Sequence, residues 1–231
     1  MPRGLPCNMT RPVRANETRI VVFARAPEPG AAKTRLIPLL GADGAAALHG
    51  LLIERTLATA LASAVGPVEL WCAPSAQHPL LSACIRRHGI EGVSQCDGDL
   101  GARMRHAVAA TLAKALRVLL IGTDCPALTV EDLRTAAGAL EEQHDAVLIP
   151  AEDGGYVLLG LNRWDDQLFN DIAWGGDRVL ATTRTRLAAL DWRWHELPAS
   201  WDIDRPQDVA RLRASGLIPE LEHAFVWPRQ S

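Results

Sequence analysis

At 231 residues, 48% hydrophobic and 22% charged, the chain has the make-up of one globular α/β domain, able to bury a core without disulfide or metal staples. A formal net charge of −3 and a pI near 6.2 exclude the basic footprint of a nucleic-acid binder. No run approaches the roughly 18 consecutive apolar residues of a membrane span.

Residues 1–18 carry Arg3, Arg11 and Arg14 with no apolar stretch behind them. They read as a flexible lead-in and not as a secretory signal, with Met1 or Met9 as the start. Arg19 to Ala24 is the first strand. A loop rich in Pro, Gly and cations follows, from Arg25 to Leu36, and Asp43 can cap a long Ala/Leu helix to about Ala64. Val68 to Cys72 is a second strand, Gln77 to Arg87 a helix, Val93 to Gln95 a short strand, and Leu100 to Ala115 a helix. Val118 to Gly122, four apolar residues and a glycine, reads as a strand buried on both faces. A helix from Thr129 to Gln143 and the strand Ala146 to Pro150 complete a βα alternation. That alternation predicts a three-layer α/β/α domain on a mostly parallel sheet. Tyr156 to Leu161 follows its predecessor with no long helix between, which predicts an antiparallel or mixed excursion. A helix over Gly176 to Leu190, a Trp-rich strand from Trp192 to Leu197 and a closing helix from Pro206 to Ala214 end the domain, taken as 19–214, with 215–231 an extension.

Five constellations can carry chemistry. Asp124 ends the buried strand, where open α/β sheets bind ligands, although aspartate also serves there as a turn former. Pro27 to Leu36 follows the first strand and places Lys33 and Arg35 on one loop, with Gly30 permitting close approach. Phosphate contact and a solvated basic loop are both open readings; the loop is neither a P-loop nor a dinucleotide fingerprint. Asp99 and Arg103 open the third helix, as cap and surface residue or as a base and phosphate site. Glu152-Asp153-Gly154-Gly155 lets carboxylate and backbone crowd a ligand, or simply turns into a hairpin. Asp202-Ile203-Asp204 precedes Pro206 as an ordinary helix start, yet Asp124 and Asp204 also suit a Mg²⁺ that takes one or two protein carboxylates. His106 and His195 read as structural or exposed. Tyr156, the only tyrosine, reads as a packing residue. The cysteines, Cys7, Cys72, Cys84, Cys96 and Cys125, form no C-x-x-C pair and read as buried thiols of a cytoplasmic protein.

The ordered set P-x-P-G-x-x-K-T-R-L, G-D-L-G-x-R-M, G-T-D-C-P-x-L, D-G-G-Y-x-L-x-G-L, W-G-x-D-R-V and D-I-D-x-P-x-D spans about residues 19 to 214. It resembles the bacterial GT-A-type nucleotide-diphospho-sugar transferases, specifically the glycosyltransferases found near radical-SAM, selenodomain or arsenosugar clusters. That family is similar to the 2-phospho-lactate and molybdenum-cofactor guanylyltransferases and to the CMP-sugar synthetases. The resemblance implies a GT-A, Rossmann-like nucleotide-diphospho-sugar transferase fold and a Mg²⁺ or Mn²⁺ ion. It implies metal ligation by Asp124 and Asp204 and nucleotide-phosphate contacts from Lys33 and Arg35; Arg25, Gly30, Asp99, Arg103 and Thr123 are the further candidate nucleotide contacts. Asp153, Gly154, Gly155, Trp174, Asp177 and Arg178 fall to the sugar or acceptor, with Asp124, Asp153 and Lys33 as the catalytic set. At Asp124 the family's second acid is replaced by Pro126.

The expected reaction is glycosyl transfer from an NDP-sugar to a small-molecule acceptor. Nucleotidyl transfer with release of pyrophosphate is the alternative, favoured chemically by the two cations of the basic loop. A non-catalytic nucleotide-binding protein is the third reading. No nucleic acid and no membrane are expected as partners, and the late tryptophans hint at a homodimer.

Overall fold

The computed structural model describes residues 17–221. Most of the expected lead-in with its two candidate starts, Cys7, and residues 222–231 of the expected extension lie outside the described residues. The elements run β1 (Thr18–Arg25), α1 (Ile37–Ser63), β2 (Val68–Ala73), α2 (Pro79–His88), β3 (Glu91–Ser94), α3 (Leu100–Leu112) and β4 (Arg117–Gly122). They continue with α4 (Val130–Glu141), β5 (Ala146–Pro150), β6 (Tyr156–Leu161), α5 (Val179–Ala189), β7 (Trp194–Glu196) and α6 (Pro206–Ser215).

One sheet holds all seven strands in the order β3-β2-β1-β4-β6-β5-β7. Every pairing is parallel except those of β6, which runs antiparallel to both β4 and β5. The excursion expected at Tyr156 is this reversed strand. The apolar runs follow from coverage on both faces, because successive side chains of a strand point to opposite sides. Ile20, Val22 and Ala24 of β1 face one core with Leu119, Ile121, Ile53 and Leu57. Val21 faces the other, with Val118, Leu120, Met104 and Val108.

Local chemistry sets the helix ends. Asp99 caps α3 by accepting from Ala102 N at 2.8 Å, and Thr129 with Asp132 forms a reciprocal capping box on α4. Helix α1 starts six residues before Asp43. A short 3₁₀ turn, Thr34–Leu36, leads into it, and Gly41 breaks it locally with φ 70° and ψ 170°. By length and composition the segment Thr34–Ser63 is apolar enough to cross a membrane. Here its apolar face, with Leu48, Leu52, Ile53 and Leu57, is buried inside the domain. A third core joins Leu36, Leu48 and Leu52 to Ile203, Val209 and Leu212, and takes in Ile218 and Leu221 beyond α6.

Candidate functional site

The order of β2, β1 and β4 reverses the direction of chain progression at β1. Such a switch point opens a crevice at the carboxyl ends of the strands. A cavity of about 610 Å³ lies there, within the range of small-molecule sites. Phe23, Ala24 and Arg25 come from the end of β1, and Gly122 to Cys125 from the end of β4. The start of α3 and the turn before β6 close the sides.

Asp124 stands in this cavity, tethered by its own carbonyl, which accepts from Ile203 N at 2.8 Å. Lys33 Nζ lies 2.8 Å from Asp124 Oδ1; the lysine side chain is 6% exposed and the carboxylate 49%. The same ammonium donates to the carbonyl of Ile203. Oδ1 itself is buried against this ammonium and makes no other hydrogen bond among the described residues. A half-exposed carboxylate at a switch point suits a divalent cation that leaves its other positions to phosphates and water. Among the described residues no three His, Cys, Asp or Glu side chains converge as a metal cage.

Asp202 and Asp153 line the same cavity. Burial, and then the charges of Asp153 and Asp124, push the Asp202 carboxyl up to about 6. Asp153 lies at the exposed rim, where its Oδ1 accepts from Gly155 N at 2.9 Å. The late acid expected to hold the metal is Asp204. Asp204 does not line the cavity; its carboxylate pairs with Arg35 at the surface. Ile203, fully buried in the third core, anchors the segment between the two acids. Asp202, in the quoted D-I-D motif but passed over, is the one turned inward.

His49 was missed altogether. It lies on α1, is 5% exposed and lines the cavity. Its Nε2 is 3.0 Å from the carbonyl of Arg25, and its Nδ1 is 3.8 Å from Asp124 Oδ1 with no hydrogen-bond partner. Burial, opposed by the Asp124 charge, lowers the His49 pKa. A histidine inside an Ala/Leu helix carries no spacing signal, and only the fold brings it to Asp124.

Gly30 is exposed with φ 81° and open space around it, and neither it nor Arg35 nor Lys33 lines the cavity. Lys33 and Arg35 hold acids rather than a vacant phosphate cradle. Arg25, Asp99, Arg103 and Thr123 do line the cavity, with Arg103 Nε donating to Gly98 O at 3.0 Å.

The expected acceptor residues divide. Gly155 and Trp174 line the cavity, together with Gly175 and Gly176; Gly154, Asp177 and Arg178 do not. Gly154 has φ 92°, and a Cβ there would overlap the Asp177 backbone. Its carbonyl accepts from Leu180 N at 2.9 Å. A Cβ on Gly101 would overlap the Trp174 indole nitrogen. Two motifs are thus explained by close approach: glycines of the D-G-G turn and the third helix admit the W-G-x-D-R loop, which roofs the cavity. Cys125 also lines the cavity, but it is buried, 3.2 Å from Ser200 Oγ, and burial raises its pKa. It is a packed thiol. Tyr156 is a packing residue whose hydroxyl burial likewise pushes up.

The chain is similar to several solved structures. A candidate nucleotide-diphospho-sugar transferase from Desulfovibrio desulfuricans G20 has 28% identity and a TM-score of 0.80, covering 90% of this chain and 96% of the other. A CMP:2-keto-3-deoxy-manno-octonic acid synthetase complexed with CTP has 13% identity and a TM-score of 0.58, covering 87% and 98%. Glucosyl-3-phosphoglycerate synthase from Mycobacterium tuberculosis, in complex with Mn²⁺, UDP and glucosyl-3-phosphoglycerate, has 14% identity and a TM-score of 0.53, covering 93% and 82%. No curated protein matches the sequence. The fold is that of the nucleotide-diphospho-sugar transferases. The profile of the family described as "uncharacterized protein conserved in bacteria (DUF2064)" matches residues 56–176, and the chain belongs to that family.

Proposed function

We propose that the chain is a metal-dependent glycosyltransferase that moves a sugar from a nucleoside diphosphate donor to a small-molecule acceptor. The observation that carries this reading is the convergence of Asp124, Asp153 and Asp202 on one cavity that Arg25, Arg103 and the start of α3 also line. A Mg²⁺ or Mn²⁺ ion at Asp124 would draw charge from the departing nucleoside diphosphate. The amino end of α3, whose free amides favour anions, and the Arg25 and Arg103 guanidiniums meet the nucleotide.

On the other side, Asp202 accepts the proton of the acceptor hydroxyl. A carboxyl raised to about 6 is a better base near neutral pH than an ordinary one. Asp153, expected in the catalytic set, supplies part of that elevation through its charge. The loop at Trp174 excludes water from the acceptor side.

The fold likeness to a CTP-binding synthetase keeps nucleotidyl transfer as the competing outcome. Against it stands the engagement of the buried Lys33 ammonium with Asp124. The six motifs support the finer placement among the glycosyltransferases near radical-SAM, selenodomain or arsenosugar clusters. The protein should be incubated with Mn²⁺ or Mg²⁺, a mixed set of acceptors and panels of NDP-sugars and NTPs. Release of free nucleoside diphosphate supports the proposal. Release of pyrophosphate replaces it with nucleotidyl transfer, and binding without turnover leaves a non-catalytic nucleotide-binding protein.

A further inference from the structure

We infer that Arg211 is a positioning residue: from α6 it holds the two chain segments that carry Asp153 and Asp202 at a fixed spacing beside the cavity. This rests on the proposal that those acids serve sugar transfer.

The two acids lie far apart in sequence, and each is preceded by a residue that Arg211 touches. Glu152 precedes Asp153, and Trp201 precedes Asp202. The guanidinium donates to Glu152 from both arms of its fork, Nη1 to Oε2 at 2.7 Å and Nη2 to Oε1 at 3.0 Å. Its central carbon lies 4.3 Å over the centre of the Trp201 ring. Glu152 and Trp201 stand outside the cavity lining, whereas Asp153 and Asp202 belong to it. One planar cation thus takes the outer residue of each pair and leaves the inner acid to the cavity.

The backbone alone brings the segments together only up to this point. Ser200 N donates to the Pro150 carbonyl at 2.8 Å, and Glu152 N donates to the Ser200 carbonyl at 3.0 Å; both acids come after. Helix α6 is a firm base for the clasp, because Val209 and Leu212 are buried with Ile203 in the third core. The clasp also depends on arginine chemistry. A two-armed bond to a carboxylate and a flat stack on an aromatic ring both need the planar guanidinium, which lysine lacks. Arg211 and Glu152 are 48% and 54% exposed, and an ion pair so open to water adds little stability. Its specific geometry therefore serves placement. Placement matters here because a general base must sit within hydrogen-bond reach of the hydroxyl it deprotonates.

The test is steady-state release of nucleoside diphosphate from the NDP-sugar panel, with Mn²⁺ and the acceptor set, by the full-length protein, beside thermal melts. Arg211→Ala and Glu152→Ala should each lower kcat by roughly tenfold, since a small misplacement of reacting groups is costly, with donor KM and melting temperature near the wild-type values. The double variant should be no worse than either single one, because both break the same link. Arg211→Lys, which keeps the charge without the fork, should recover only part of the loss. If the effect is one of charge, the two alanine variants move kcat in opposite directions and Arg211→Lys behaves as wild type; either result overturns the inference. A lowered melting temperature with unchanged kcat makes Arg211 a stabilising contact only, and also overturns it. Glu152→Gln keeps the test decisive if Arg211→Ala folds poorly: its amide oxygen still accepts from Arg211, so it should lose less than Glu152→Ala, and an equal loss contradicts the inference. Asp202→Asn separates this inference from the function it rests on. If it lowers kcat while Arg211→Ala and Glu152→Ala do not, the proposed function stands and the inference is wrong. If Asp202→Asn keeps the wild-type kcat, or the wild type releases no nucleoside diphosphate, both fail.

Discussion

Two ion pairs tie the loop after β1 to acids in loops that follow strands, Asp124 and Asp204, and they are built differently. Lys33 meets Asp124 from behind the cavity lining, with the lysine 6% exposed. Arg35 and Asp204 meet at the surface, with the arginine 65% exposed and the aspartate 43%. Two cations one residue apart in one motif thus have separate jobs. An exposed pair is screened by water and typically contributes about 0–1 kcal/mol. A buried ammonium cannot be left without its carboxylate so cheaply, since breaking one partner of a buried pair costs roughly 3–5 kcal/mol. The comparison shows that charge in a motif does not say what the charge is for. Lys33 positions the acid of the site, and Arg35 clasps the outside of the segment that carries Asp202.

The largest effect should come from Asp124→Ala. It should abolish the stabilisation that metal plus nucleotide gives the wild type. It should also lower the stability of the ligand-free protein by about 1–3 kcal/mol, less than a fully buried pair because the carboxylate is half exposed. Urea melts with and without Mn²⁺ measure both, and an unchanged apo stability would mean Lys33 does not depend on Asp124. Lys33→Met should be next. Removing a cation that competes for Asp124 should raise Mn²⁺ affinity severalfold, whereas a true phosphate lysine would leave metal affinity unchanged and weaken nucleotide binding. Asp202→Asn tests the inward acid. A carboxyl raised from 3.8 to about 6 leaves the folded state relatively favoured at low pH, and that advantage is lost as pH rises through the folded value. The substitution should therefore raise the melting temperature at pH 7 and have little effect near pH 4, and a difference constant with pH would contradict the shift. Smallest of all, Arg35→Ala should cost no more than about 1 kcal/mol and leave metal and nucleotide affinity unchanged.

Much of the fold was legible because strands buried on both faces announce themselves. β5 and β6 lie at the residues read from the pattern, and α1 departs because a short helical segment from Ile37 precedes the break at Gly41, beyond which the helix read from the sequence runs on. The site was legible where a residue's position at a strand end or helix cap decides its direction, as for Asp124 and Asp99. It failed where tertiary packing decides. The burial of Ile203 fixes the segment in which Asp202 faces inward and Asp204 outward, and a motif with both acids cannot order them. His49 reaches Asp124 only because α1 lies across the end of β1. Among the described late tryptophans, Trp192 is buried, Arg163 and Arg211 stack on Trp192 and Trp201, and Trp164 stays exposed.

The central claim is that Asp124, and not Asp204, joins a metal to a nucleotide in this cavity. Calorimetric titration of a nucleoside diphosphate panel, with and without Mn²⁺, tests it most directly in the wild type, Asp124→Asn and Asp204→Asn. The account predicts that Mn²⁺ tightens binding of at least one nucleotide, that Asp124→Asn removes this enhancement, and that Asp204→Asn keeps it. Enhancement that survives in Asp124→Asn, or is lost only in Asp204→Asn, would contradict it.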